Sequence, residues 1–156
     1  MKDLSRKDLK KKLDRVFSLY IRLRDSNSSG IVICPLCGKK MLRNSPSCQN
    51  MHFVKRDRMK YRYSERNCYA GCVGCNVYLN GNYPKYTLFM IKRYWLEKVE
   101  EMLNDKKPFK IKDFEMEHML QEYSIKACKL AYSKHIKMDK YFSKKFLSMY
   151  YREEAL

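Results

Sequence analysis

Acidic residues, proline, glycine and long apolar runs are all scarce in this chain of 156 residues, and each scarcity removes a class of protein. No apolar run approaches the roughly 20 residues needed to span a bilayer, so a transmembrane protein is not expected. No apolar core of a signal peptide follows Met1, which points to a soluble intracellular chain. With 4 prolines and 5 glycines there is no long low-complexity segment, and no internal repeat is visible. Asp and Glu number 17 against 34 Lys and Arg, a net charge of +17. A chain this short would repel itself at that charge without a polyanion nearby, so nucleic acid is the expected partner and a membrane surface the competing one. The length fits one compact domain, 1–156, with an appended helical tail.

The 7 cysteines are an odd number with no secretion signal before them, and four fall into two C-x-x-C pairs. Cys34-Pro35-Leu36-Cys37 and Cys72-Val73-Gly74-Cys75 provide four thiolates, the set that tetrahedral zinc takes with one pair clasping each side of the ion. Gly38 allows the tight turn after the first pair. So little apolar material lies between residues 30 and 82 that the ion would supply roughly 10 kcal/mol or more of folding free energy there. The plainer alternative is four buried thiols. Cys48, Cys68 and Cys128 read as small core residues, although Cys48 or Cys68 could displace one of the four.

Leu9, Leu13, Val16, Phe17 and Tyr20 recur at helical spacing and predict an amphipathic helix over 8–25, ended by the polar run 25–30. Ile31-Val32-Ile33 is a short strand leading into Cys34, and Met51-His52-Phe53-Val54 resembles one arm of a hairpin. A short helix is expected from Cys72 onward. That is an order of strand, hairpin, helix for a zinc-stapled segment 30–83. A helical region 84–156 follows, with a turn at 80–84 and a stripe of Leu88, Ile91, Trp95, Val99 and Met102. After a break at 106–108 a third helix begins, with Asp113 as its N-cap and Met116, Met119, Leu120, Tyr123, Ala127 and Leu130 on its apolar side. From Lys134 the Lys-, Tyr- and Phe-rich end either continues as helix or frays. The fold class is therefore small α+β, with a treble-clef-like zinc core flanked by an amino-terminal helix and carboxy-terminal helices.

Three residues lie within or just beyond the zinc pairs in a suggestive order: His52, Asn67 and Asn76. Hydrolysis of a phosphodiester needs a base for water, a cation for the phosphate and departing oxygen, and a group that orients the base. His52 suits the base and Asn76 is a neutral oxygen ligand for a hard cation such as Mg²⁺ or Mn²⁺. Asn67 suits the orienter, through its side chain or its backbone.

At these positions the chain resembles the phage NinG (Rap) recombination proteins. The resemblance runs over residues 13–132 and is carried by the helix ending in Ile21-Arg22-Leu23-Arg24-Asp25, by Cys34-x-x-Cys37-Gly38, and by His52-Phe53. Further on it takes in Arg56, Met59, Arg62-Tyr63, Glu65-Arg66-Asn67, Cys72-x-x-Cys75-Asn76, Leu79, Gly81-Asn82 and Tyr86. The resemblance implies a structure-specific nuclease of the HNH (ββα-metal) type acting on branched recombination intermediates such as Holliday junctions and D-loops. The same order of cysteines, histidine and asparagine is similar to the T-even phage recombination endonuclease that resolves four-way junctions. Such a protein would act in the cytoplasm of the bacterial host, with His52 as general base, Asn76 as a catalytic-cation ligand and the four cysteines on structural zinc. Many HNH enzymes place Asp or His immediately before the base, whereas this chain has Met51. The second ligand is left to Asn50, which shares a strand face with His52, or to Gln49, Asp57, Glu65, Asn80 or Asn82. An acid a few residues before the histidine in some relatives is Gln49 here.

Between base and orienter, Lys55, Arg56, Arg58, Lys60, Arg62, Tyr63 and Arg66 are expected to meet DNA. Cations would bind phosphate without regard to sequence, and the interleaved tyrosines would stack on splayed bases at a branch. The lysines of the amino terminus and tail, and His118 and His135, read as surface residues. A homodimer would suit paired cuts on a junction. The rival from another class is a zinc-ribbon DNA- or RNA-binding module without catalysis. A third possibility is a ribosomal-style RNA-binding treble clef.

Overall fold

A computed structural model describes residues 5–137 of the chain; the tail from 138 onward, expected above to continue as helix or fray, lies outside them. Helix α1 (Arg6–Arg24) starts where the Ser5 side chain accepts the backbone N–H of Asp8 at 3.2 Å, earlier than the periodicity alone placed it. It buries Leu9, Leu13 and Phe17, and also Leu19, Ile21 and Leu23. An apolar surface wider than one stripe is needed because helix α5 covers one side of α1 and the strands cover another.

Two small antiparallel sheets follow. Strand β1 (Ile31–Ile33) pairs with β2 (Lys40–Leu42), Val32 opposite Met41, and the turn between them carries Cys34 and Cys37. Strand β3 (Cys48–His52) pairs with β4 (Cys68–Cys72) so that Cys48 faces Cys72 and His52 faces Cys68. Met51 points into the core, fully buried, and its side chain fills the space beside Gly71 that a Cβ there would need. The long connection between β3 and β4 contains the short helix α2 (Met59–Arg62). Cys72 thus ends a strand where a helix was expected to begin, and a π-helical turn over Gly74–Tyr78 presents Cys75 and Asn76.

The next helical stretch is two helices, α3 (Tyr83–Tyr94) and α4 (Leu96–Asn104), broken at Trp95, whose φ of 67° no helix accommodates. The break changes the buried face. Tyr86, Met90, Val99 and Met102 face inward, whereas Leu88 and Trp95, expected on the apolar stripe, are exposed. Helix α5 (Asp113–Ser133) has Lys112 rather than Asp113 at its N-cap, where the Glu115 carboxylate accepts the Lys112 N–H at 2.5 Å. It lies along α1 in the same direction, with an Arg6–Asp113 ion pair at one end and Lys134 Nζ donating to the Leu23 carbonyl (2.6 Å) at the other. Phe17 and Tyr123 meet edge to face at 4.7 Å between them. The architecture is a small mixed α+β arrangement whose buried residues form one cluster. Among the described residues no helix is long and apolar enough to cross a membrane.

Candidate metal centre and polar cleft

The β1–β2 turn brings Cys34 and Cys37 to the end of β4 and the π-helical turn, where Cys72 and Cys75 wait. All four sulfurs lie within 4.8 Å of one another, and Cys37 and Cys72 are 3.5 Å apart. A tetrahedral zinc with bonds of about 2.3 Å holds its sulfurs about 3.8 Å apart, so the four cysteines stand close enough together to hold one ion. Hydrogen bonds at the sulfurs support that use. The Cys75 N–H donates to Cys72 Sγ and Asn82 Nδ2 to Cys75 Sγ, each at 3.3 Å. The Lys39 backbone N–H holds the exposed Cys37 thiol down at about 7, while burial pushes Cys34 up and Cys75 up to about 12. Buried thiols packed together resist ionising until a cation offsets their charge. Cys48 and Cys68 are buried and Cys128 half-buried, apart from the cluster, as small core residues.

Between strand β3, the π-helical turn and α1 a cleft of about 490 Å³ opens. His52, Asn50, Gln49 and Asn76 line it together. His52 Nε2 lies 3.0 Å from the Arg62 carbonyl. A carbonyl only accepts, so the ring proton sits on Nε2 and the Nδ1 lone pair is left over. Nδ1 makes no hydrogen bond among the described residues. Burial lowers the His52 pKa to about 4 despite the opposing effect of that carbonyl, which keeps the ring neutral around pH 7.

Asn76 Nδ2 donates to Gln49 Oε1 at 2.7 Å. Asn50 Oδ1 is buried and has no hydrogen-bond partner. An orphaned buried oxygen is costly, and Asn50 lines the cleft together with Gln49 and Asn76. Of the other expected ligands, Glu65 is bonded to Tyr20 and Lys126, Asn82 to Cys75, and Asp57 and Asn80 are exposed away from the cleft.

Asn67 occupies a different place from the one expected. It is fully buried, and its carboxamide accepts from Val54 N (2.7 Å) and donates to Val54 O (2.9 Å) and Tyr61 O (3.0 Å). Its backbone carbonyl accepts from Phe53 N. Asn67 therefore ties both ends of the β3–β4 connection together, and it reaches His52 only through the loop whose Arg62 carbonyl does the orienting.

The basic segment divides in two. Lys55, Arg56 and Arg66 are exposed. Lys60 is exposed but paired with Asp105, and Arg58 donates to the Asp105 carbonyl at 2.5 Å. Arg62 and Tyr63, expected to touch DNA, are turned inward. The Arg62 fork bonds both oxygens of Asp14 (2.8 and 2.6 Å) and the Arg56 carbonyl (2.9 Å), and Tyr63 OH donates to Asp14 at 2.9 Å. A buried guanidinium beside a carboxylate takes that partner before a solvated phosphate, which is why these two brace the fold. Tyr61 is likewise buried, with its hydroxyl on Asp105.

Asp14 was not singled out from the sequence. Burial works against its ionisation, but Arg62 and Tyr63 outweigh that and lower its pKa. The available signal was spacing: Lys11, Asp14, Arg15 and Ser18 form a polar stripe of α1 at helical steps, and all four line the cleft. Over residues 2–134 the chain matches the family model described as Bacteriophage Lambda NinG protein. No curated protein and no solved structure matches it.

Proposed function

The chain belongs to the bacteriophage lambda NinG protein family, and from that premise we propose that it is a metal-dependent endonuclease of the HNH type cutting branched DNA during phage recombination in the host cell. The β3–β4 hairpin, the π-helical turn and α3 would be the ββα unit, held in a treble-clef-like form by zinc on Cys34, Cys37, Cys72 and Cys75. One observation carries the reading: a neutral imidazole with an uncommitted Nδ1 and three carboxamides share one cleft, at whose edge stand Lys11, Arg15 and Arg56.

In that cleft His52 accepts a proton from water at Nδ1 while the Arg62 carbonyl fixes the ring through Nε2. Gln49, Asn50 and Asn76 would hold Mg²⁺ or Mn²⁺ through their side-chain oxygens. When bound, the cation supplies charge neutralisation at the phosphate and the departing oxygen. The exposed cations Lys55, Arg56 and Arg66 would hold flanking phosphates.

A synthetic four-way junction tests the proposal. Wild type should cut it only with Mg²⁺ or Mn²⁺, and His52→Ala should cut at least about a hundredfold more slowly with binding retained. The neutral donor set of the cleft favours one second reading, a zinc-bound nucleic-acid module without catalysis. Tight junction binding with no metal-dependent cutting decides for that module.

A further inference from the structure

The four clustered sulfurs are not equally placed. Cys34, Cys72 and Cys75 are buried, at 1%, 3% and 2% exposure, whereas Cys37 is exposed on the β1–β2 turn. Gly38, Lys39 and Lys40 after it are exposed as well, so the one sulfur of the cluster that solvent reaches is followed in the chain by two cations. The turn has room to shift, because nothing beyond its chain neighbours lies within 4 Å of where a Cβ on Gly38 would sit. Exposed cysteines in electropositive surroundings are the ones that electrophiles reach, whereas buried thiols are inert. Cys72 Sγ stands 3.5 Å from Cys37 Sγ although the two residues are 35 apart in the chain. A sulfur open to an oxidant therefore touches a second one that is shielded from it, the pairing of an attacked with a resolving cysteine.

We propose that Cys37 is an oxidation site: a peroxide converts it to a sulfenic acid, Cys72 resolves that to a Cys37–Cys72 disulfide, and the cluster gives up its zinc. The inference rests on the four cysteines holding zinc and is independent of any cutting at the cleft. The Cys37 sulfur attacks one peroxide oxygen, the O–O bond breaks, and an alcohol, or water from hydrogen peroxide, departs. The Cys72 sulfur then attacks the Cys37 sulfur, the S–O bond breaks, and water departs. In total two thiolates, one peroxide and two protons become one disulfide, one alcohol and one water, and the two electrons lost by sulfur reduce the peroxide. Cys34 and Cys75 are then the thiolates that remain, two where a tetrahedral ion takes four. The new bond keeps the β1–β2 turn fastened to β4. Cys75 loses its anchor, and with it the π-helical turn that carries Asn76 to the cleft.

The zinc-loaded full chain, freed of reductant and treated with hydrogen peroxide, tests this. Released zinc is followed with a colorimetric chelator, and after alkylation of the remaining thiols the disulfide is located by tandem mass spectrometry of a digest. Zinc should leave in step with one disulfide per chain, between Cys37 and Cys72, and a dithiol reductant with added zinc should restore the starting state. Cys37→His keeps a fourth ligand for the ion without the exposed sulfur, and should release zinc at least about tenfold more slowly under peroxide. Limiting maleimide on untreated wild type needs no variant: among the four cysteines it should label Cys37 first. A disulfide joining Cys34 to Cys37 or Cys72 to Cys75, zinc loss from Cys37→His as fast as from wild type, or first labelling at a buried sulfur overturns the proposal. A chain that holds no zinc yet forms the Cys37–Cys72 bond overturns the zinc reading and leaves the oxidation site standing.

Discussion

The Asn67 carboxamide satisfies the N–H and carbonyl of Val54 and the carbonyl of Tyr61 where water does not reach. Asn67→Ala leaves the Val54 N–H and carbonyl without this partner, while the Tyr61 carbonyl keeps the Ser64 N–H at 3.2 Å. The expected cost is about 3 kcal/mol, read as a lower midpoint in urea denaturation. A residue placed to act on substrate would show lost cutting with unchanged stability, so the same variant separates the two roles. Arg62 makes a parallel case. Its side chain is committed to Asp14 and its carbonyl to His52, so one residue joins α1 to the ring of the proposed base. Neither role is written in local sequence, because Arg62 sits in a run of cations and only the opposing helix distinguishes it from Lys55 or Arg66.

Among elements, Glu65 joins three. It accepts from Tyr20 OH of α1 (2.6 Å) and from Lys126 of α5 (2.8 Å), while it belongs to the β3–β4 connection. Burial opposes its ionisation, but Lys126, Tyr20 and the charge of Arg24 prevail and hold its pKa below the usual value. A carboxylate with a depressed folded pKa contributes stability above its unfolded pKa and loses it as pH falls through the folded one. The stability gap between wild type and Glu65→Gln should therefore be present at about pH 7 and shrink by about pH 3, in denaturation at both values. The four-sulfur cluster is the second junction, linking the β1–β2 turn to β4 and the π-helical turn. With zinc bound by the four cysteines as proposed, chelating it should remove roughly 10 kcal/mol from this region, seen as loss of hydrogen-exchange protection in β1, β2 and β4 ahead of α1 and α5. The motif spacing made the cluster legible from the start. Strand β2 and the break at Trp95 were not legible, because Lys40-Met41-Leu42 is too short to show a period and a positive φ at tryptophan has no sequence signal.

At the scale of the whole molecule, the excess of cations would set how the proposed nucleic-acid partner is met. Lys11, Arg15 and Arg56 edge the cleft, and Lys55 and Arg66 are exposed nearby in sequence. If about five of these meet phosphates, log K for junction DNA should fall against log salt with a slope of about −4.5. Fluorescence anisotropy across a salt series measures it. A slope near zero would mean that the charge serves solubility alone.

Composition and spacing by themselves determined a net charge of +17 and that two C-x-x-C pairs could share a metal ion, and they singled out His52 and Asn76, which line one cleft. Charge is additive and ligand spacing is local, so both survive being read in one dimension. Only the tertiary structure decided that Asn67 and Arg62 brace the site, that Met51 faces away from it, and that the stripe of α1 carrying Asp14 forms its opposite wall. Those facts depend on which surfaces α1 and the β3–β4 connection turn toward each other, and pairing between elements so far apart along the chain is settled by burial and by partner choice in three dimensions.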